Sequence, residues 1–177
     1  MKSQDMFQNS YANETIYKTD TATTNFADTT KYIWKGGTKT ILVNAAMVNT
    51  SYLRLPEATT DNAGLHVKII IGIAPADNMY VGFVTSLIAG GATTFSDGAV
   101  GLMTANTAFV ASAVGTSNLR CVLDVDGATG DGGGAAGSVL DFWYTGVANV
   151  VIHRGNLIGT VDSATLANYF STTAVNA

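Results

Sequence analysis

Short stretches in which apolar and polar residues alternate dominate the chain and predict β-strands. Residues 51–55 place Leu53 and Leu55 on one face, and Pro56 ends this strand because proline cannot donate a hydrogen bond to a strand ladder. After a polar loop, residues 65–74 alternate again and then become wholly apolar. This second pattern predicts a strand that is buried on both faces as it passes through the centre of a sheet.

Similar stretches, separated by turn residues, recur to the end of the chain. We predict further strands at residues 31–34, 39–44, 78–85, 95–103, 109–114, 118–125, 138–145, 147–153 and 156–161. Two pairs of these form predicted hairpins, one across the turn at residues 35–38 and one across Gly146. The only helical pattern covers residues 163–170, with Ser163 as its N-cap.

This succession of strands predicts an all-β fold. We expect an antiparallel β-sandwich or barrel-like architecture, of the jelly-roll or β-tulip type, with at most one short C-terminal helix. Residues 51–72 are interpreted as the central hairpin of a binding module. Residues 21–177 are expected to form a single β-domain.

Residues 1–20 differ from the rest of the chain because they are polar and lack strand or helix periodicity. We expect an extended N-terminal arm outside the core, whose spaced aromatics Phe7, Tyr11 and Tyr17 dock on a neighbouring surface. A disordered terminus is the alternative. The first 18 residues lack an apolar core of the kind found in secretory signals, so no such signal is expected.

Charge is scarce for a chain of 177 residues. Only 12% of the residues are charged, about half the usual fraction, while 47% are hydrophobic. Either other subunits cover much of the surface, or a neutral surface rich in Thr, Ser and Asn keeps the protein in solution. The net charge of −4 and the scattered Lys and Arg residues argue against nucleic-acid binding.

The sequence predicts no catalytic, cofactor or metal site, and we expect a protein that is not an enzyme. Cys121 stands alone, which excludes an intrachain disulfide and a cysteine zinc cluster. His66 and His153 lie inside predicted strands and are expected to be solvent-facing or hydrogen-bonded. Ala128 and Ala135 stand where a calcium loop needs ligands, so the glycine-rich loop that follows residue 125 is expected to be solvated. The longest apolar run is too short to cross a membrane.

Three consecutive aromatics offer candidate interface residues. Phe142 and Tyr144 share one face of a predicted strand and Trp143 takes the other. Either one of these faces is exposed or covered in an oligomer, or the strand is buried on both sides. With the arm aromatics, the interface candidates are Phe7, Tyr11, Tyr17, Trp143 and Tyr144.

The strand that ends in Leu-Pro, the polar linker, the Ala-Gly-Leu start of the next strand and the glycine-punctuated last hairpin resemble small β-rich virion proteins of tailed bacteriophages. Many of these are head decoration or cement proteins. The residues that carry the resemblance are Leu53, Leu55, Pro56, Gly64, Leu65, Val67, Ile69, Gly137, Ser138, Gly146, Val150, Val151, Ile152 and Gly155. They cover residues 50–72 and 137–160. The family's usual tryptophan of the last hairpin would fall near Val150, where this chain departs from the pattern.

The resemblance implies a virion structural protein on the capsid exterior. It would bind the outer surface of an assembled capsid as a homo-oligomer, with a trimer favoured, and bridge neighbouring capsomers formed by the major capsid protein. It implies no catalytic residues and no cofactor. Two alternatives are a tail, fibre or head-spike protein that binds carbohydrate, and a hydrolase with an unrecognised site.

Overall fold

The structure is a computed structural model of the whole chain. It describes residues 13–21, 24–25, 34–47, 52–76, 79–83, 94–104, 109–113, 120–123, 134–147, 150–159 and 170–171. Phe7 and Tyr11 lie outside these residues, as does the predicted helix apart from its last residue. That residue, Phe170, lies in a short strand.

The described residues form two sheets and one short 3-10 turn at Thr60–Asn62. Across the seven-stranded sheet, the order is β1 (Asn13–Lys18), β3 (Thr38–Val43), β5 (His66–Ile71), β10 (Val139–Tyr144), β11 (Val150–Gly159), β7 (Thr94–Thr104) and β8 (Phe109–Ala113). Across the five-stranded sheet, the order is β12 (Phe170–Ser171), β9 (Arg120–Leu123), β6 (Met79–Phe83), β4 (Tyr52–Leu55) and β2 (Thr24–Asn25).

The all-β prediction is confirmed, but both sheets are mixed, which departs from the antiparallel expectation. Strands β1, β3 and β5 are parallel neighbours, and so are β2, β4 and β6. The reason is the path of the chain, which alternates between the two sheets from β2 to β7. A strand that returns to its sheet through the other sheet has crossed over and can run parallel, whereas a tight turn forces an antiparallel pair.

This alternation also overturns two predicted hairpins. Strands β4 and β5 belong to different sheets, so residues 51–72 link the sheets and are not a hairpin. Strand β3 pairs with β1 on one side and β5 on the other, so neither neighbour is the predicted hairpin partner, of which residues 31–33 lie outside the described residues. The predicted hairpin across Gly146 is confirmed as the antiparallel pair β10–β11, and Gly146 takes the positive φ that suits a glycine turn.

One apolar cluster lies beneath both sheets and forms the core. Leu65, Val67 and Ile69 share its face, as the alternation predicted, and Leu53 and Leu55 of β4 join the same cluster. Strand β5 is fully buried on this face only. On its other face, Lys68 and Ile70 are half-buried. The prediction of burial on both faces was therefore wrong for this strand.

Two lysines lie on the buried side of the sheet near its β1 edge. Lys39 is buried and its ammonium lies 3.1 Å from the carboxylate of Glu14 on β1. Lys18 is also buried, and it pairs with the carboxylate and the backbone oxygen of Asp20. Long lysine stems can pack along apolar surface while their charged ends reach acids at the sheet edge. Residues 13–18 of the predicted arm are thus part of the sheet, and the boundary at residue 20 stays a prediction.

Tyr144 joins the last hairpin to the segment that links the sheets. Its backbone N–H donates to the carbonyl of Leu65 and its carbonyl accepts from the N–H of Gly64, each at 2.9 Å. Its buried hydroxyl donates to the carbonyl of Pro56 at 2.7 Å. Three bonds from one residue therefore fix the path of residues 56–65 between β4 and β5.

Replacing Tyr144 with phenylalanine should destabilise the fold because it leaves the buried carbonyl of Pro56 without this donor. We expect a loss of about 1–2 kcal/mol in the free energy of unfolding, measured by urea denaturation. The matched control is Tyr17→Phe, since Tyr17 is 65% exposed. That control should stay within about 0.5 kcal/mol of the native protein. Equal losses in the two variants would contradict the role assigned to the Tyr144 hydroxyl.

Candidate binding face of the seven-stranded sheet

The structure separates the predicted interface residues. Tyr17 is largely exposed on edge strand β1, and Trp143 is half-buried on β10. Tyr144 is only 2% exposed and points into the core, where burial also raises the pKa of its hydroxyl. Tyr144 is therefore not an interface residue, because its side chain is committed to the core and to Pro56.

The side of the seven-stranded sheet that faces away from the core is called the outer face here. Strand register arranges its side chains in three rows that cross the strands. The apolar row contains Tyr17, Leu42, Ile70 and Val139 and ends on β11 at the polar Asn156; the charged row contains Thr15, Thr40, Lys68, Asp141 and Arg154; the ring row contains Asn13, Thr38, His66, Trp143 and Ile152.

The apolar row is an uncommon feature for a surface exposed to water. Leu42, Ile70 and Val139 are each half-buried, and the exposed Tyr17 extends the row to the sheet edge. Neighbouring strands are about 4.8 Å apart, so these four side chains form a continuous stripe roughly 14 Å long. A contiguous apolar stripe beside charged side chains is typical of a protein-binding surface.

His66, Asp141 and Trp143 form a rigid cluster at the centre of the outer face. The Nε2 atom of His66 lies 2.7 Å from the Asp141 carboxylate, and both side chains are about one-fifth exposed. The His66 ring stacks on the Trp143 indole with centroids 4.9 Å apart and planes 5° from parallel. One face of the indole is therefore covered within the chain.

His153 lies directly behind this cluster, on the core side of the sheet. Its Nδ1 atom donates to the backbone carbonyl of Asp141 at 2.9 Å, and its ring stacks on Phe142 with centroids 4.4 Å apart. Burial lowers the pKa of His153 to about 4, against a smaller opposing effect of the Asp141 carbonyl. His153 is thus neutral at pH 7 and belongs to the core.

The arrangement is suited to contact with another surface. The charged row holds one carboxylate between two cations, Lys68 and Arg154, on adjacent strands. Such a row can form ion pairs with a protein surface, and the ring cluster can contribute shape complementarity. Within the described ranges, no three His, Cys, Asp or Glu side chains gather into a group that could hold a metal ion.

Sequence patterns placed both histidines in strands, as solvent-facing or hydrogen-bonded residues, but did not bring together the cluster that contains His66. His66 and Asp141 are 75 positions apart, and only the antiparallel pairing of β5 with β10 makes them neighbours. Cys121 lies in β9 as predicted, in register with Val81 of β6. Asp124, Asp126 and Asp131, the aspartates in and beside the glycine-rich loop, lie outside the described residues.

Comparisons with protein-family models, with curated proteins and with solved structures gave no match to this chain. In the part of the chain that the structure describes, no helix is long and apolar enough to cross a membrane. The outer face, and the resemblance of the sequence motifs to phage virion proteins, are the features that bear on function.

The neutral, buried state of His153 should make stability depend on pH. Its folded pKa of about 4 lies below the ordinary value of 6.5. Between pH 4 and pH 6.5 the unfolded chain therefore binds a proton that the native state does not bind. The contribution is complete above about pH 6.5 and is lost as the pH falls toward 4, by about 3 kcal/mol in total. Urea unfolding across this range measures the slope.

The control for this slope is His153→Gln, which removes the titrating ring and keeps a polar side chain. We expect its stability to be lower than that of the native protein at neutral pH and the gap to shrink as the pH falls. A variant with the native slope would show that other groups cause the pH dependence.

Proposed function

We propose that this chain is a virion structural protein that binds the outer surface of an assembled phage capsid and stabilises it by bridging neighbouring capsomers. The observation that carries the proposal is the outer face, where an apolar row that is half-buried within the sheet and exposed at Tyr17 lies beside a charged row. The phage-like motifs, residues 50–72 and 137–160, support it. The two segments contact each other at Tyr144, and they supply β5, β10 and β11 at the centre of the seven-stranded sheet. A sandwich of two mixed sheets is the form of the fold that we propose.

The mechanism would be mass action. A subunit that binds only the assembled lattice lowers the free energy of that lattice and so opposes its disassembly. A homo-oligomer on the capsid engages several sites at once, and this avidity allows weak individual contacts to hold firmly. The partner is the major capsid protein, and no catalysis is required.

The scarcity of charge fits this role. Only 12% of the residues are charged, so charge repulsion does little to oppose association. The described part of the outer face carries its charges in one central row. Apolar contacts on either side of that row would supply affinity, while the charges would set the orientation of the partner.

The alternative is a tail, fibre or head-spike protein that binds carbohydrate, for which Trp143 is the natural platform. Sugars stack on an open aromatic face, but His66 covers one face of this indole and the ring is half-buried. Tyr17 is more exposed and stands at the sheet edge. The geometry therefore favours a protein partner over a glycan.

Binding to phage heads assembled without this chain tests the proposal. We expect the purified protein to co-sediment with such heads and to raise the temperature at which they release their contents. Ile70→Asp, which places a charge in the apolar row, should weaken this binding at least about tenfold, since burying an unpaired charge is costly. The matched control is Ala46→Asp on an exposed loop, which should bind normally.

Absence of co-sedimentation at saturating protein would overturn the capsid role. Binding to a glycan array by the same preparation would then favour the alternative. Equal binding by the Ile70 and Ala46 variants would keep the capsid role but move the contact away from the outer face.

A further inference from the structure

Strand β1 forms one edge of the seven-stranded sheet, and we propose that two copies of this chain pair there, β1 against β1, around a two-fold axis perpendicular to the sheet. Among the described residues β1 has one neighbouring strand, β3, so its other side offers backbone groups to a further strand. The inference deepens the proposed function, which needs a homo-oligomer, and its consequence for capsid binding rests on that proposal. It predicts a pair where the resemblance implies a trimer.

The backbone of β1 presents a regular set of donors and acceptors on its open side. The carbonyl of Lys18 accepts from the N–H of Asn44, directly after β3, at 2.7 Å. Since the backbone groups of successive residues point to opposite sides of a strand, those of Asn13, Thr15 and Tyr17 point away from β3. An antiparallel partner strand can therefore bond to Thr15 and Tyr17 without disturbing the ladder between β1 and β3.

The two-fold axis restricts the register of the pair. Two identical antiparallel strands in one sheet place side chains of the same face opposite each other, so the residue on the axis lies opposite its own copy. With Ile16 on the axis, Glu14 lies opposite the partner's Lys18, and Thr15 forms the hydrogen-bonded pair with the partner's Tyr17. Symmetry repeats both contacts. Apolar side chains then meet at the axis, and opposite charges meet on either side of it.

Each neighbouring register loses these contacts. With Tyr17 on the axis, Glu14 lies opposite the partner's Asp20. With Glu14 or Lys18 on the axis, like charges meet directly, and such pairs are destabilising. With Thr15 on the axis, the Glu14 carboxylate gains no cation. Inward-pointing charges commonly protect a sheet edge from pairing, and here they leave one favourable register.

The charged side chains at this edge can make the new contacts and keep their own. The Glu14 side chain is 53% exposed, although its carboxylate lies 3.1 Å from the Lys39 ammonium. Lys18 donates to the carboxylate and the backbone oxygen of Asp20, and its ammonium has a further N–H donor. In the pair, Glu14 therefore lies between Lys39 of its own chain and the partner's Lys18, and the charges alternate across the junction.

This pairing leaves both outer faces uncovered. Rotation about an axis perpendicular to the sheet places the outer faces of the two copies on the same side. The contact lies at the edge, so the partner does not cover the charged row at Lys68, Asp141 and Arg154. Both outer faces can contact one capsid surface at the same time, which supplies the avidity that the proposed function needs.

The small size of the contact sets its expected strength. A standard stable interface buries about 800 Å² on each partner. Strand β1 has six residues and is roughly 20 Å long, so an edge contact supplies only part of that area. We therefore expect reversible pairing with a dissociation constant in the micromolar range.

Sedimentation velocity of the full chain across the micromolar range tests the pairing. The native protein should pass from the chain mass of 18.3 kDa to twice that mass as its concentration rises. Thr15→Pro removes an N–H on the open side of β1 and should raise the dissociation constant at least about tenfold. The matched control is Thr15→Ala, which keeps that N–H and should pair like the native protein. Circular dichroism and urea unfolding establish that each variant is folded.

Disulfide trapping tests the register and decides the question if Thr15→Pro fails to fold. On a Cys121→Ser background, Ile16→Cys places two thiols opposite each other at the axis. The Cα atoms of such a non-hydrogen-bonded pair lie about 4.5 Å apart, which a disulfide can span. The matched control is Asn13→Cys, whose two copies lie six residues apart along the strands, roughly 20 Å. Oxidised glutathione should yield a covalent dimer of the Ile16 variant and none of the Asn13 variant.

A native protein that stays monomeric across the micromolar range, or that forms trimers, overturns this inference. So does a dimer that is indifferent to Thr15→Pro, or equal cross-linking at residues 13 and 16. Open-ended assemblies would contradict it as well, because they would indicate contact between β1 and the opposite edge strand β8.

These outcomes are separable from the capsid role. Co-sedimentation with heads measures capsid binding, and sedimentation velocity of the protein alone measures self-pairing. A monomer that binds heads would keep the capsid role and end the pairing, whereas a dimer that does not bind heads would do the reverse.

Discussion

The attachment of Tyr144 to the segment between Pro56 and Leu65 is the contact on which the arrangement of the described strands depends. The chain leaves β4 in one sheet and enters β5 in the other, and a proline, a short turn and a glycine make that passage. Backbone groups of Tyr144 bond to Gly64 and Leu65, and its hydroxyl bonds to Pro56. Pro56 and Leu65 are buried, and the register of β10 on β5 is fixed at the same point where the chain changes sheets.

From that register the two faces of the seven-stranded sheet acquire different roles. The inner face packs into one apolar core, and even its charged members, Lys18 and Lys39, lie buried with their ammonium groups paired to acids near the edge. The outer face carries the apolar row, the charged row and the ring row. Asp141 connects the two faces, since its carboxylate holds His66 outside while its backbone carbonyl accepts from His153 inside.

A face of this kind serves association. Its continuous apolar row is uncommon on a surface that has no binding partner. Its central charges are of both signs and close together. The rigid sheet beneath it means that little conformational entropy is lost on binding, so a modest area can still support a specific contact. An oligomer that contacts a capsid through several such faces would combine weak single contacts into firm binding.

The sequence by itself determined many of the described strands, because alternation of apolar and polar residues is a local property. Strands β4, β5, β6, β9 and β10 fall where that pattern placed them, and the burial of Leu65, Val67 and Ile69 follows from it. Strand β1 lies in the predicted arm, and the strands predicted at residues 147–153 and 156–161 are replaced by the single strand β11. The tertiary structure alone decided which strands are neighbours. Hairpins were expected across residues 35–38, across Gly146 and within residues 51–72, yet the chain alternates between sheets, so β3 and β5 became parallel neighbours. Hydrogen bonding between strands is carried by backbone groups that every residue shares, and a local sequence pattern therefore cannot specify the partner. For the same reason the meeting of His66 with Asp141, and the burial of Tyr144 in place of an interface role, came only from the register of strands far apart in the chain.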